Sequence, residues 1–198
     1  MSLAAEQSVE AFDEPGDDDD RATAAVLELL EAVGAEIDGV DAREGAARLV
    51  ALSRQLLEPA GVDLAGFEND TGYDGLVVVR GVGFVSICSC HLLPYSGRAH
   101  VAYLPGRCII GLSKLAGVVE QRARAIQAPE RLARRVVDCI DELLEPAGSG
   151  VIVEGQSGCG DSLGERCRQT TVSVRGRLRD DPALRREFLT LCGYPIGR

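Results

Sequence analysis

The chain has 198 residues, of which 45% are hydrophobic and 26% charged, a composition typical of a globular protein with one main core. Its formal net charge of -10 argues against nucleic acid and against an anionic membrane as the main partner. No apolar run approaches the roughly 18 residues of a membrane span, and the acidic N-terminus lacks the pattern of a secretory signal, so we expect a cytoplasmic protein.

Cysteine is unusually frequent relative to histidine, with seven cysteines and two histidines. An odd number of cysteines without an export signal indicates reduced thiols rather than a disulfide framework. Cysteines that cluster in such a protein indicate either a metal site or a catalytic thiol.

The first part of the chain predicts a tail and two helices. Residues 1–20 are expected to form an acidic disordered tail, because they include a run of four aspartates. A helical region follows at residues 21–60, with one helix over about residues 21–33. A second helix is indicated by apolar residues at helical spacing, namely Leu49, Leu52 and Leu56.

The rest of the chain, residues 61–198, predicts one α+β domain. Runs of β-branched residues indicate four strands, and two helical patterns lie between the second and the third strand. The predicted strands are residues 76–80, residues 99–104 and the segments that start at positions 151 and 169, and the predicted helices are residues 113–126, 129–144 and about 182–191. The order of elements is therefore ββααββ, followed by a helix.

Five stretches of this domain resemble one known family in their order and spacing. They are CSCHLLPYSGRAHVAYLP from Cys88, GLSKLAGVVE from Gly111, QAPERL from Gln127, VIVEGQSGC from Val151 and REFLTL from Arg186. The similarity is to the GTP cyclohydrolase I family and extends from about residue 41 to residue 191. It implies the T-fold, in which an antiparallel sheet with helices on one face joins other subunits side by side in a barrel. Two such rings stack in that family, usually as a decamer, with active sites between subunits.

Three residues are candidates for a metal site. Cys88 and His91 form a C-x2-H pair, and Cys159 follows in a later segment. Two thiolates and an imidazole suit Zn²⁺, and three protein ligands leave a fourth position for water. The resemblance implies the same site, because these residues match the family's zinc ligands. Alternatively, Cys88 and Cys159 are small buried residues, as free cysteines often are.

Two positions depart from the family's pattern. Cys90 stands where the family has a catalytic histidine, and Ser157 stands where it has another. Opening the imidazole ring of guanine needs a group that moves protons near neutral pH, which histidine does without special tuning. Loss of a general acid or base typically costs a factor of about 10²–10⁴ in rate. We therefore expect impaired GTP hydrolysis and assign the altered catalysis to Cys90 and Ser157.

Cys90 has three alternative roles. It could be a fourth zinc ligand, since in an extended segment its side chain would share a face with that of Cys88 and close the coordination shell. It could instead be a nucleophile or an acid–base group, because a thiol beside a metal ionises readily. The third alternative is a passive substitution in a degenerate site.

The resemblance also implies the substrate-binding residues. Glu130 matches a glutamate that holds the guanine edge, and a carboxylate can accept two parallel N–H bonds. Otherwise Glu130 is a solvated residue of the first helical turn. Ser113 and Lys114 match a phosphate-binding motif at a helix start. Two phosphate-binding arginines of the family are replaced by Gly117 and Leu163, so the heterocycle end of the site is better retained than the triphosphate end.

Three functions follow from these residues. The first is a zinc-dependent enzyme related to GTP cyclohydrolase I that acts on a purine, a pterin or a related nitrogen heterocycle with altered chemistry. The second is an authentic GTP cyclohydrolase I, which converts GTP to dihydroneopterin triphosphate and formate. The third is a catalytically inactive, ring-forming homologue with structural zinc. In each case we expect a homo-oligomer, with the decamer as the expected state, and neither nucleic acid nor a membrane as partner.

Overall fold

The computed structural model describes residues 17–35, 41–58, 61, 64–156 and 168–194. The helices of these residues are α1 (Asp17–Ala32), α2 (Ala42–Leu57), α3 (Leu112–Ala123), α4 (Pro129–Leu144), α5 (Arg177–Asp180) and α6 (Pro182–Leu191). The strands are β1 (Phe67–Glu68), β2 (Val77–Ile87), β3 (Pro94–Leu104), β4 (Cys108–Ile109), β5 (Gly148–Gln156) and β6 (Arg168–Gly176). None of these helices is both long enough and apolar enough to cross a membrane.

The chain divides into two compact units between Gln55 and Leu56. The sequence analysis places the boundary between the helical region and the α+β domain after residue 60. The predicted domain boundaries stay predictions. Helix α1 begins at Asp17, within the predicted tail, whose first 16 residues lie outside the described residues. Aspartates in a first helical turn are stabilised by the partial positive charge of the helix N-terminus, so this run can begin a helix.

The first unit contains α1 and the greater part of α2. An ion pair joins the helices, with Arg43 Nη2 2.8 Å from Asp20 Oδ1, and a second pair joins Arg54 to Asp19. All four side chains are substantially exposed to solvent, so each pair contributes at most about 1 kcal/mol. Both predicted helices are present.

The second unit is built on a four-stranded antiparallel sheet in the order β2-β3-β5-β6. Ser86 lies opposite Tyr95, and Gly97 lies opposite Gly155. The predicted order ββααββ is confirmed. Strand β2 is longer than predicted, because a bulge at Gly81, whose φ is 72°, lets the strand continue beyond residue 80.

Helices α3 and α4 cover one face of the sheet, as predicted. We call this face the helix face. Helix α4 begins with Pro129 at a position where a missing N–H costs little. Burial of one large apolar side chain stabilises the fold by roughly 1.5–3 kcal/mol. The buried apolar residues between the sheet and these helices include Val101, Tyr103, Leu115, Leu132, Val136, Ile140, Val151 and Val153.

The C-terminal segment covers part of the opposite face of the sheet. Leu178 of α5 and Phe188 of α6 are fully buried against Ala102, Leu104 and Ile152. The central strands β3 and β5 are apolar on both faces, as is typical of strands covered on both sides. The sequence predicted helix α6 correctly but did not assign it to a face.

Candidate active site

A tight turn follows β2 and carries the reactive side chains Cys88, Cys90 and His91. We call residues 88–93 the cysteine turn. The Leu92 N–H donates to the Cys88 carbonyl and the Cys88 N–H donates to the Leu93 carbonyl, each over 2.9 Å. The turn brings Cys88 Sγ to 3.8 Å from His91 Nδ1. Two of the predicted metal ligands are therefore adjacent.

The positions of these two atoms fit a tetrahedral metal ion. With a Zn–S bond of about 2.3 Å and a Zn–N bond of about 2.0–2.1 Å, two ligands of one ion lie about 3.6 Å apart. The Cys90 nitrogen lies 3.4 Å from Cys88 Sγ, so the sulfur accepts a hydrogen bond from within the turn. Within the described residues no group of three potential ligands occurs. Cys159 lies outside them, so the third ligand stays a prediction.

The residues around Cys90 form a turn rather than an extended segment. The alternation of side chains along a strand therefore gives no reason to place the thiols of Cys90 and Cys88 on one face. Cys90 is exposed, whereas Cys88 is half-buried. An exposed thiol is accessible both to a metal and to a bound substrate, and the three roles of Cys90 stay open.

The connection between α3 and α4 holds the end of β2. The Gln127 N–H donates to the Ile87 carbonyl over 2.8 Å, and the Ile87 N–H donates to the Ala125 carbonyl over 3.3 Å. These bonds form a short parallel pairing of Ile87 with Ile126. Since α4 begins directly after this connection, Glu130 lies at the same end of the sheet as the cysteine turn. No residue pattern indicated this pairing.

Glu130 stands in the first turn of α4 and is exposed. Gln169 of β6 donates from Nε2 to Glu130 Oε1 over 2.5 Å. The other carboxylate oxygen of Glu130 accepts no hydrogen bond from the described residues. The helix N-terminus stabilises the negative charge at this position. Sequence reasoning missed Gln169, because a polar residue in a strand carries no signal of its partner.

Tyr95 is buried on the helix face at the same end of the sheet. Its ring meets that of Phe84 edge to face, with centroids 5.9 Å apart. Burial raises the pKa of Tyr95, Ser86 lowers it, and the negative charges of Cys88 and Glu130 raise it further. The hydroxyl is therefore neutral at neutral pH. Sequence reasoning missed Tyr95, because a tyrosine in a strand is typical of a core residue.

Helix α3 places Ser113 and Lys114 far from the cysteine turn. Both lie in its first turn, whereas its last residue, Ala123, adjoins the connection that holds β2. Lys114 is nine positions before Ala123, which corresponds to about 13 Å of helix. Lys114 Nζ donates to the Ala65 carbonyl over 3.2 Å. Within one chain, these residues do not lie at the end of the sheet that carries Cys88 and Glu130.

His100 lies on the sheet face opposite α3 and α4. It is opposite Ile152, which belongs to the core beneath α5 and α6. Both ring nitrogens are buried, and Nε2 lies 3.9 Å from Glu154 Oε2. The sheet therefore separates this histidine from the helix face.

Comparison with known proteins identifies the family. Residues 22–193 match the family model of GTP cyclohydrolase I. The chain is 37% identical over 179 residues to GTP cyclohydrolase 1 of Synechococcus sp. (strain JA-2-3B'a(2-13)), a match that covers 87% of this chain and 78% of the relative. The chain belongs to the GTP cyclohydrolase I family.

A second relative and a solved structure extend the comparison. GTP cyclohydrolase 1 of Streptomyces griseus is 38% identical over 201 residues, which cover 96% of each protein. The crystal structure of the archaeosine synthase QueF-Like in the apo form is similar over 51% of this chain and 93% of that chain, with 16% identity and a TM-score of 0.43.

Membership of the GTP cyclohydrolase I family makes the chain a hydrolase-type enzyme with the predicted α+β fold. The family match begins at residue 22, earlier than the predicted residue 41, and so includes most of α1. The roles assigned to Cys90 and Ser157 stay predictions, and Ser157 lies outside the described residues.

Proposed function

We propose that the chain is a zinc-dependent enzyme of the GTP cyclohydrolase I type that acts on a purine, a pterin or a related nitrogen heterocycle with altered proton transfer. The composition of the cysteine turn carries this proposal. Cys88 and His91 lie 3.8 Å apart there, and Cys90 is beside them. The other of the two histidines, His100, lies on the opposite face of the sheet. Once His91 binds a metal, no histidine at the turn is free to move protons.

Cys88, His91 and Cys159 would hold the zinc ion. When bound, zinc supplies Lewis acidity that lowers the pKa of its water from 15.7 to about 7. The Cys90 N–H, which donates to the Cys88 sulfur, would orient the thiolate and stabilise its charge. The half-buried position of Cys88 limits the access of bulk water to that sulfur.

Cys90 and Ser157 would stand in place of the family's two catalytic histidines. A serine hydroxyl does not titrate near neutral pH, whereas a thiol has an ordinary pKa near 8.5 that neighbouring charges change readily. Cys90 is therefore the proposed acid–base or nucleophilic group. Its exposure at the cysteine turn makes it accessible to a bound heterocycle.

Glu130 is the proposed anchor of the heterocycle. A guanine or pterin edge presents adjacent N–H donors, which match the two oxygens of one carboxylate. Gln169 binds one oxygen of Glu130, which stands in the first turn of α4. No described residue donates a hydrogen bond to the other oxygen, which we propose accepts an N–H of the ligand.

We infer that the enzyme acts as a homo-oligomer, with the decamer as the expected state. Since Ser113 and Lys114 lie at the far end of α3, they would complete a site only beside the cysteine turn of another subunit. Within the described sheet, β2 and β6 each pair along one edge only, and such edges pair readily with another chain. Lys114 would then contact an anionic group of the substrate.

The second candidate is an authentic GTP cyclohydrolase I. The identity of 38% over 96% of the Streptomyces griseus relative favours it. The third candidate, an inactive ring-forming homologue, requires Cys90 to be a fourth zinc ligand that excludes water. A zinc site with four protein ligands would support it.

Incubation of the purified protein with GTP tests the proposal. Turnover is followed by the fluorescence of the oxidised pterin product and compared with that of a histidine-containing relative. We expect turnover lower by a factor of about 10²–10⁴. Equal turnover would establish the second candidate instead. If turnover of GTP is low, the preferred heterocycle can be identified by measuring which purine and pterin analogues raise the melting temperature of the protein.

A further inference from the structure

The side chain of Gln127 lies buried where α3 and α4 meet, with 1% of the residue exposed. Its Nε2 donates to the carbonyls of Arg122, over 2.7 Å, and Ala123, over 3.3 Å, at the end of α3. Its Oε1 accepts from Nη1 of Arg135 in α4, over 3.0 Å. One amide therefore joins the end of one helix to the body of the next.

The same residue also contacts the end of β2. Its backbone N–H donates to the Ile87 carbonyl over 2.8 Å, and its Nε2 lies 3.4 Å from Ser86 Oγ. Cys88 follows Ile87 directly, and Glu130 follows Gln127 by three positions. A short path of covalent and hydrogen bonds between the two halves of the candidate site therefore passes through Gln127.

We propose that Gln127 is a positioning residue that fixes the cysteine turn relative to Glu130, and thus the metal relative to the heterocycle. This inference rests on the function proposed above. A buried amide destabilises a fold unless all of its polar groups are paired, and a fully paired amide specifies one geometry. Apolar side chains alone could pack α3 against α4. A fixed position of the cysteine turn relative to Glu130, in contrast, requires directional contacts such as hydrogen bonds.

Arg135 strengthens this interpretation. It also donates to the Arg122 carbonyl over 3.3 Å, so it holds the same helix end as the Gln127 amide. Burial and the charges of Arg122 and Arg131 lower the pKa of Arg135. The Gln127 oxygen is thus a partner for a partly desolvated cation, and removal of Arg135 would leave this buried oxygen without the hydrogen bond that it accepts from Nη1.

The test replaces Gln127 with an apolar side chain of similar length, Gln127→Met. We expect Co²⁺, used as a spectroscopic substitute for zinc, to bind roughly 10–100-fold more weakly, with a changed thiolate-to-cobalt absorption band. We also expect the dissociation constant for guanosine to rise at least about tenfold. Gln127→Glu keeps the acceptor for Arg135 but places a carboxylate oxygen against the Arg122 and Ala123 carbonyls, so it should weaken cobalt and guanosine binding at least as much as Gln127→Met.

Ser149→Ala is the matched control. The Ser149 hydroxyl is buried and bonded to Asp141 of α4, so this change also removes a buried hydrogen bond of that helix. Ser149 lies opposite Tyr103, at the other end of the sheet from the cysteine turn. We expect Ser149→Ala to lower the urea midpoint while leaving the cobalt spectrum and the guanosine affinity unchanged.

Equal effects of the two changes on cobalt and guanosine binding would overturn the proposal and reduce Gln127 to a packing residue. A measurement on the metal-free protein separates this failure from failure of the proposed function. Gln127→Met should accelerate amide hydrogen exchange at Cys88 and Leu92, whose N–H groups close the cysteine turn, more than Ser149→Ala does. Unchanged exchange at these amides would overturn the proposal even if the chain binds no metal.

Discussion

At the scale of single residues, the cysteine turn concentrates the chemistry of the candidate site. Its backbone hydrogen bonds place a thiol and an imidazole 3.8 Å apart, while a second thiol remains exposed beside them. The residue types were evident in the sequence. Their spacing in three dimensions depends on the tight turn, which local side-chain patterns do not predict.

The first prediction concerns the replaced histidines. Cys90→His combined with Ser157→His should raise GTP turnover, by up to a factor of about 10²–10⁴, because it restores two groups that titrate near neutral pH. Pterin fluorescence measures the change. Cys108→His, at a half-buried cysteine in β4, is the control and should have no such effect. A double variant as inactive as the control would contradict the proposed cause of the altered chemistry.

The second prediction concerns the metal. Cys88→Ala should abolish stoichiometric zinc binding, because it removes one of three proposed ligands. Elemental analysis of the purified protein measures the zinc content. Cys139→Ala removes a buried thiol that accepts a hydrogen bond from Arg122, and this variant should retain zinc. Full zinc content in Cys88→Ala would exclude the proposed ligand set.

The third prediction concerns the reactivity of two thiols. Burial raises the pKa of Cys192 to about 11, so its thiol stays protonated and unreactive at pH 8. Cys90 is exposed. In the zinc-free protein at pH 8, iodoacetamide should modify Cys90 first and Cys192 only after unfolding, as peptide mass spectrometry would show. Labelling of Cys192 at the rate of Cys90 would contradict the structure.

At the scale of secondary structure elements, close packing of β3 against its neighbours holds the segment that leads away from the cysteine turn. Gly97 lies where a Cβ atom would be 2.0 Å from the Glu154 carbonyl oxygen and 2.7 Å from Phe84 Cζ. Only a residue without a side chain fits there. The periodicity of the strand indicates its two faces but does not reveal this close approach.

The fourth prediction follows from that contact. Gly97→Ala should lower the free energy of unfolding by about 1–3 kcal/mol or more, because the new methyl group overlaps the backbone of β5. Urea denaturation measures the loss. Gly83→Ala in β2 is the control, since a Cβ there meets no atom within 4 Å. Equal stability of the two variants would show that β3 and β5 are not packed as described.

At the scale of the whole molecule, Lys114 lies far from the cysteine turn, and this distance limits how a complete site can form. Lys114 lies in the first turn of α3, about 13 Å of helix away from Ala123, which adjoins the connection that holds the end of β2. We therefore expect a substrate that contacts both to bind between subunits. The one-sided pairing of β2 and β6 within the described sheet provides edges for such an assembly.

The fifth prediction concerns this assembly. The native mass should be a multiple of 21.0 kDa, with ten subunits expected, and Val85→Lys with Val172→Lys should dissociate it, because charged residues on edge strands oppose edge pairing. Light scattering after gel filtration measures the mass. Leu191→Lys, at an exposed residue of α6, is the control and should leave the assembly intact. A monomeric parent protein would contradict the proposed site.

The short elements β1, β4 and α5 were not predicted. The order of the other strands and helices, the candidate ligands and the family could be predicted from residue patterns. These properties follow from local periodicity and from residue types at fixed spacing, which are present in the chain before it folds. The prediction of α4 is accurate for this reason, since Pro129 begins it and one apolar face runs along its length.

Which distant residues contact one another could be learned only from the folded chain. In the structure, β2 continues through a bulge, and α6 packs on the face opposite α4. Gln127 binds the end of β2, and Lys114 lies far from Cys88. Such contacts depend on which faces of distant elements pack together. That choice is made by the burial of apolar surface and the pairing of buried polar groups over the entire fold, and no short stretch of sequence contains it.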